Sequence, residues 1–182
     1  MAIPNAAPQD HDKPQPRMQS EILQIKVETA RREYDDEIIR AKDWDSKTTP
    51  MVAATGAVFV YVAGALTTPP TQLPEFWKGV YFTLMVLTLV AFAAAEVSFL
   101  MVLWGRQFGR PTIKDVVFQE WESADELREK LAKAYVKLIT ENTPINENKA
   151  ARYKQGLILL TAGLTLLATL LLVSGIAEIT IK

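Results

Sequence analysis

The sequence predicts an all-α integral membrane protein with three transmembrane helices and a helical cytoplasmic layer. Three observations carry this reading. Hydrophobic residues make up 49% of the 182-residue chain and charged residues 23%, but the two classes are segregated, the apolar residues falling in three blocks. Lys and Arg are segregated as well, with eight in 1–50, one (Lys78) in 67–79, ten in 105–154 and one (Lys182) after the last block. The polar stretches repeat apolar residues at helical steps, and nothing alternates with strand periodicity for long enough to build a sheet.

Composition removes several chemistries. The absence of cysteine excludes disulfides, iron–sulfur clusters and thiol catalysis. The single histidine, His11, sits in a proline-rich start, which leaves no zinc site and no Ser-His-Asp triad. Residues 1–50 hold ten acids against eight bases, and 105–154 hold eight against ten. A balanced polar layer without a basic run interleaved with aromatics argues against a nucleic-acid partner. With no cluster of acid, base and nucleophile, no catalytic residue, metal or cofactor is expected.

Taken in order, residues 1–18 carry Pro4, Pro8, Pro14 and Pro16 among polar neighbours. Lacking the apolar core of a secretory signal, they read as a disordered tail. Residues 19–47 form a cytoplasmic helix, with Ser20 as N-cap and Leu23, Val27, Ala30, Tyr34, Ile38 and Ala41 as one apolar stripe. Its other face, Glu28, Arg31, Arg32, Asp35, Asp36 and Arg40, is a mixed-sign solvated surface.

Residues 48–66 are the first span, with Pro50 placed for a first helical turn. The external loop 67–79, containing Pro69, Pro70 and Pro74, is too short to fold alone and makes a hairpin of the first two spans. Residues 80–104 are the second span, flanked by Phe76, Trp77, Tyr81 and Trp104 as interfacial aromatics. The cytoplasmic insert 105–154 contains a helix opened by Ser123 and Glu126 at capping-box spacing. That helix carries the stripe Trp121, Ala124, Leu127, Leu131, Ala134 and Leu138, and Asn142-Thr143-Pro144 stops it. Asn146 then caps a new helix leading into the third span, 155–177, which leaves 178–182 as an external C-terminus. The positive-inside rule puts the N-terminus and the 105–154 insert in the cytoplasm, and the short loop and the C-terminus outside.

Four groups of residues are functional candidates. Glu96 lies about 12 Å along its helix from Trp104, deep enough that it must face another helix or a wet cavity. It is either part of an ion or proton pathway or gate, or a carboxyl satisfied by a neighbouring hydroxyl. Thr161, Thr165 and Thr169 recur at four-residue steps in the third span, and Ala53, Gly56, Ala57 and Gly64 offer small surfaces in the first. Both suit helix packing, within one chain or in a homo-oligomer. Arg106 and Arg110 lie just inside the membrane and suit lipid headgroups. With Arg31 and Arg32 they are also the candidate contacts of a phosphate-bearing ligand.

A helix ending in Asp45-Ser46-Lys47-Thr48 at the mouth of a span, a tight hairpin, a helical insert, then Asn142 and Lys149 leading into a last span resembles the membrane effectors of bacterial antiphage nucleotide signalling. The similarity is to the Pycsar-type transmembrane effectors in particular and extends over about Ser20 to Ile176. It implies a protein that stays inert in the inner membrane until a cyclic nucleotide made during infection reaches it, then assembles and impairs membrane integrity. Because the sequence contains no separate nucleotide-binding domain, the cyclic nucleotide would be recognised by the helical cytoplasmic layer. The competing reading is a membrane scaffold or accessory subunit that docks a partner on the Leu23–Ala41 stripe. A constitutive transporter or channel is a third.

Overall fold

A computed structural model describes residues 16–65, 74–104 and 123–180, and within them the chain is entirely helical. Helix α1 runs Pro16–Ala65 (50 residues), α2 Glu75–Leu103 (29 residues) and α3 Ala124–Thr180 (57 residues), with no strand among the described residues. The expected tail 1–18 lies outside the described residues up to 15 and is helical from Pro16.

The helices are fewer and longer than their sequence punctuation suggests. α1 joins the predicted cytoplasmic helix to the first apolar block without a break, and Pro50 lies inside it instead of opening a new helix. An interior proline lacks the N–H that would bond four residues back and costs about 3 kcal/mol. The turn before it is reinforced, since Thr48 Oγ1 donates to the Trp44 carbonyl at 2.6 Å and Thr49 Oγ1 to the Asp45 carbonyl at 2.9 Å. Ser20 is not an N-cap, because it sits inside α1, where its Oγ accepts a hydrogen bond from Arg128 Nη1 at 2.6 Å.

α3 opens as its sequence predicts, the Glu126 N–H donating to Ser123 Oγ at 3.2 Å. It does not stop at Asn142-Thr143-Pro144, and Pro144 is interior. The reason lies in tertiary contact. Asn142 and Asn146 are buried, and Asn146 spends its amide on α1, so it does not cap a new helix.

The chain divides into two compact units, one of residues 1–36 with 109–140, the other of 37–108 with 141–182. In the first unit the α1 stripe turns inward as its periodicity requires. Ala30 and Tyr34 are buried, Leu23 and Val27 half-buried, and the Tyr34 and Tyr135 rings meet at 5.7 Å. From α3, Leu127, Leu131, Ala134 and Leu138 are half-buried.

In the second unit Val62, Met85, Phe92 and Leu170 form a core flanked by Phe59, Leu84, Leu89 and Leu167. Two glycines of α3 receive two phenylalanines of α2. A Cβ at Gly156 would lie 2.6 Å from the Phe99 ring, and one at Gly163 would lie 3.3 Å from the Phe92 ring. Both pairs are seven residues apart and run in opposite directions, so α2 and α3 are antiparallel there. The outside of this unit is apolar, exposing Val60, Tyr61, Phe82, Val90, Val97, Ile158, Leu171 and Leu172, while Thr55, Thr88 and Ser98 are inside. Thr88 and Ser98 bond the carbonyls of Leu84 and Ala94. Hydroxyls turned inward beside an apolar core, under an apolar exterior, suit a lipid surround.

Two helices, not the three expected, are long and apolar enough to cross a membrane: Glu75–Leu103 and the stretch Ala124–Gly175. The block 48–66 is the end of α1, where Thr48, Thr49, Pro50, Thr55, Gly56 and Gly64 dilute the apolar run.

Candidate functional site

The densest polar contacts of the second unit lie where the middle of α1 meets the middle of α3. Glu37 occupies a position beside the apolar stripe of α1 and is buried, which its neighbours make tolerable. Asn146 Nδ2 donates to the Glu37 carbonyl at 2.9 Å and to Glu37 Oε2, and Arg40 Nη1 donates to Oε1 at 3.1 Å. Both partners of the Asn146 nitrogen are acceptors, which fixes the orientation of the amide. Its Oδ1 is buried with no hydrogen-bond partner, an acceptor whose desolvation is left uncompensated.

Two turns further along α1, Asp45 Oδ1 accepts from Lys149 Nζ at 2.6 Å. The lysine side chain is 7% exposed and the aspartate 46%. The Trp44 and Tyr153 rings pack at 5.4 Å, and Tyr153 meets Phe99 at 5.8 Å. Thr48 and Asn142 are fully buried nearby in sequence. Glu37, Arg40, Asp43, Trp44 and Lys47 line one side of a cleft of about 280 Å³, with Thr143, Asn146, Glu147 and Ala150 opposite. The cleft presents guanidinium, ammonium and carboxylates around an indole, a mixed-sign lining that suits a small polar ligand bearing both donors and acceptors.

Glu96 faces α1, as its depth requires. Its Oε1 lies 3.9 Å from where a Cβ on Gly56 would stand, an ordinary contact distance that places the carboxyl against α1. Its Oε2 and the hydroxyl of Thr55 are buried without a partner. Among the described residues no group of histidine, cysteine or carboxylates could hold a metal.

The other candidates are not drawn together. Arg31 and Arg32 are exposed on the first unit, Arg31 Nε lying 3.9 Å from Asp35. Arg106 and Arg110 lie outside the described residues. Thr161, Thr165 and Thr169 are exposed, each hydroxyl bonding the carbonyl four residues back in its own helix at 2.9 Å. Periodicity does not reveal the Glu37–Asn146 contact. Its signal was a carboxylate adjoining an apolar stripe opposite an asparagine that reads equally well as a cap.

An all-helical protein with lipid-type exteriors on its apolar helices, and with polar side chains locked between α1 and α3, is a small membrane protein with a built polar junction. The comparison with known families is specific: residues 27–175 match the Pycsar effector protein domain, and the chain belongs to that family. The match begins in α1 and ends in α3. It makes the protein a membrane effector of the antiphage type. No curated protein and no solved structure matches the chain.

Proposed function

We propose that the protein is an inner-membrane effector held inert until a cyclic nucleotide produced during phage infection reaches its cytoplasmic helices, whereupon it self-associates and impairs the membrane. The observation that carries this reading is the family match over 27–175, joined to a polar junction that lies on that matched stretch. The buried Glu37–Asn146 contact and the part-buried Asp45–Lys149 pair tie α1 to α3. Such bonds fix one arrangement and make a second one accessible when a ligand competes for them. The cleft beside them, with Arg40, Lys47 and Trp44, offers phosphate-binding cations and an aromatic face.

Charge sets the topology. With ten of the twenty basic residues in 105–154, that insert is cytoplasmic and the C-terminus external. The end of α1 accompanies the two apolar helices as a third, weaker membrane segment, contributing Val62 to their core and turning Val60 and Tyr61 outward. Lipids are the constant partner, and the chain catalyses nothing itself.

The test is inducible expression in a bacterial host with a membrane-potential dye and propidium iodide, with and without co-expressed nucleotide cyclases. Depolarisation with one cyclase only supports the reading. An intact membrane under all conditions, with the protein present in the membrane fraction, overturns it in favour of a scaffold.

A further inference from the structure

Two side-chain oxygens inside the second unit lack a partner, and both belong to one layer of its packed helices. Glu96 Oε2 and Thr55 Oγ1 are buried without a hydrogen bond. Glu96 Oε1 lies 3.9 Å from the Cβ position of Gly56, the residue after Thr55, so hydroxyl and carboxyl stand about one residue's rise apart along the bundle. Thr55 is also the exception among the buried hydroxyls. Thr48, Thr88 and Ser98 each donate to the carbonyl four residues back, at 2.6 to 2.8 Å, whereas Thr55, fully buried, makes no such bond. An inward hydroxyl that forgoes its local acceptor keeps its lone pairs for another group.

The carboxyl is isolated in charge as well. Residues 48–65 of α1 and 155–175 of α3 contain no Asp, Glu, Lys or Arg, and beyond Lys78 the only one in α2 is Glu96. Phe92 and Phe99, fully buried one turn to either side of Glu96, pack on glycines of α3. The surroundings are therefore apolar and supply no fixed counter-charge.

We infer that Glu96 and Thr55 form a binding site for one monovalent cation within the membrane-spanning segments. A carboxylate in an apolar layer has to be neutralised. A proton would do so, but its O–H would itself need an acceptor, and the Thr55 hydroxyl would stay unpartnered. An alkali cation takes oxygen lone pairs from both groups, with water completing its shell. One carboxylate balances one positive charge, and a divalent ion would leave an uncompensated charge in the layer. The site's part in membrane impairment, as the point that selects cations for the leak, rests on the proposed function. The binding itself does not.

The test uses the full-length protein in detergent micelles without any nucleotide. Dicyclohexylcarbodiimide, which modifies carboxyls in apolar surroundings, is added in sodium, potassium or lithium chloride, or in choline chloride of equal concentration, and adduct is followed by intact mass. The expected result is an adduct that Glu96→Gln abolishes and that forms several-fold more slowly in at least one alkali chloride than in choline, with saturable dependence on the ion. Thr55→Val should label and lose the protection, while Thr55→Ser, which keeps the hydroxyl, should retain it. Circular dichroism checks that all variants stay helical. Equal rates in choline and in every alkali chloride, or undiminished protection in Thr55→Val, overturn the site. So does a Glu96 that never labels, because an exchangeable ion needs a route to it. Protection in a protein that depolarises no cell with any cyclase would remove the effector reading and leave the site standing, and depolarisation without protection would do the reverse.

Discussion

Lys149 of α3 places its ammonium 2.6 Å from the Asp45 carboxylate of α1, with the lysine side chain buried and the aspartate half open to solvent. The pair is unequal, and its two halves should fail unequally. Asp45→Ala takes the carboxylate away from a buried ammonium and should cost about 1–3 kcal/mol. Lys149→Met leaves a carboxylate that water can reach and should cost less than about 1 kcal/mol. Thermal unfolding of both variants in detergent measures the difference, and equal losses would refute the inequality.

The fit of Phe99 against Gly156 makes a second prediction. Gly156→Ala sets a methyl 2.6 Å from an aromatic ring and should cost about 1–3 kcal/mol by overpacking. Gly163→Ala, at 3.3 Å from Phe92, should be milder. Phe99→Leu should restore part of the Gly156→Ala loss, a coupling that a double-mutant cycle reads directly.

Glu96 stands in an apolar layer with one oxygen unpartnered, and a carboxylate at a membrane helix centre costs about 2.5 to 3.5 kcal/mol. Glu96→Gln keeps size and hydrogen bonding, so folded yield should hold or rise. If the side chain gates permeation, the same variant shifts the extent of cyclase-dependent depolarisation. Identical dye traces for both proteins would confine Glu96 to packing.

In the first unit, Glu129 is held below the usual carboxylate range by the hydrogen bond and charge of Lys133, with a lesser contribution from Lys26. Because the folded value is depressed, this stabilisation is complete above the ordinary carboxylate pKa and is lost as pH falls through the depressed one. Lys133→Met should raise the Glu129 titration midpoint, which side-chain carboxyl NMR follows. An unmoved midpoint would show that the 2.6 Å pair does not persist in solution.

Much of the architecture was legible because it is local. The α1 stripe through Ala30 and Tyr34, the solvated face with Arg31 and Asp35, and the Ser123–Glu126 helix start follow from helical period and capping, which neighbouring residues decide. Local signals place helix boundaries near Ser20, Pro50 and Pro144 that the structure does not have, for one reason. Capping and proline signals report backbone preference, and at these points side-chain bonds from Arg128, Thr48 and Asn146, the last of them buried, outweigh it. The junction was half legible. Asp45, Asn142 and Lys149 stand out in the sequence as part of a familiar layout, whereas Glu37 does not, because the pairing of residues 109 apart in sequence leaves no periodic trace. Arg31 and Arg32 stand out by charge, yet exposed guanidinium groups beside acids are what any solvated helix presents.

The central claim is that a cyclic nucleotide converts an inert membrane protein into one that breaches the bilayer. The most direct measurement is dye release from liposomes containing the purified chain, on addition of each of a panel of cyclic nucleotides. The account predicts release with one nucleotide class, none from protein-free vesicles, and a reduced response from the Glu37→Gln and Asn146→Ala variants. Release that ignores every nucleotide, or retention with all of them from correctly inserted protein, would contradict it.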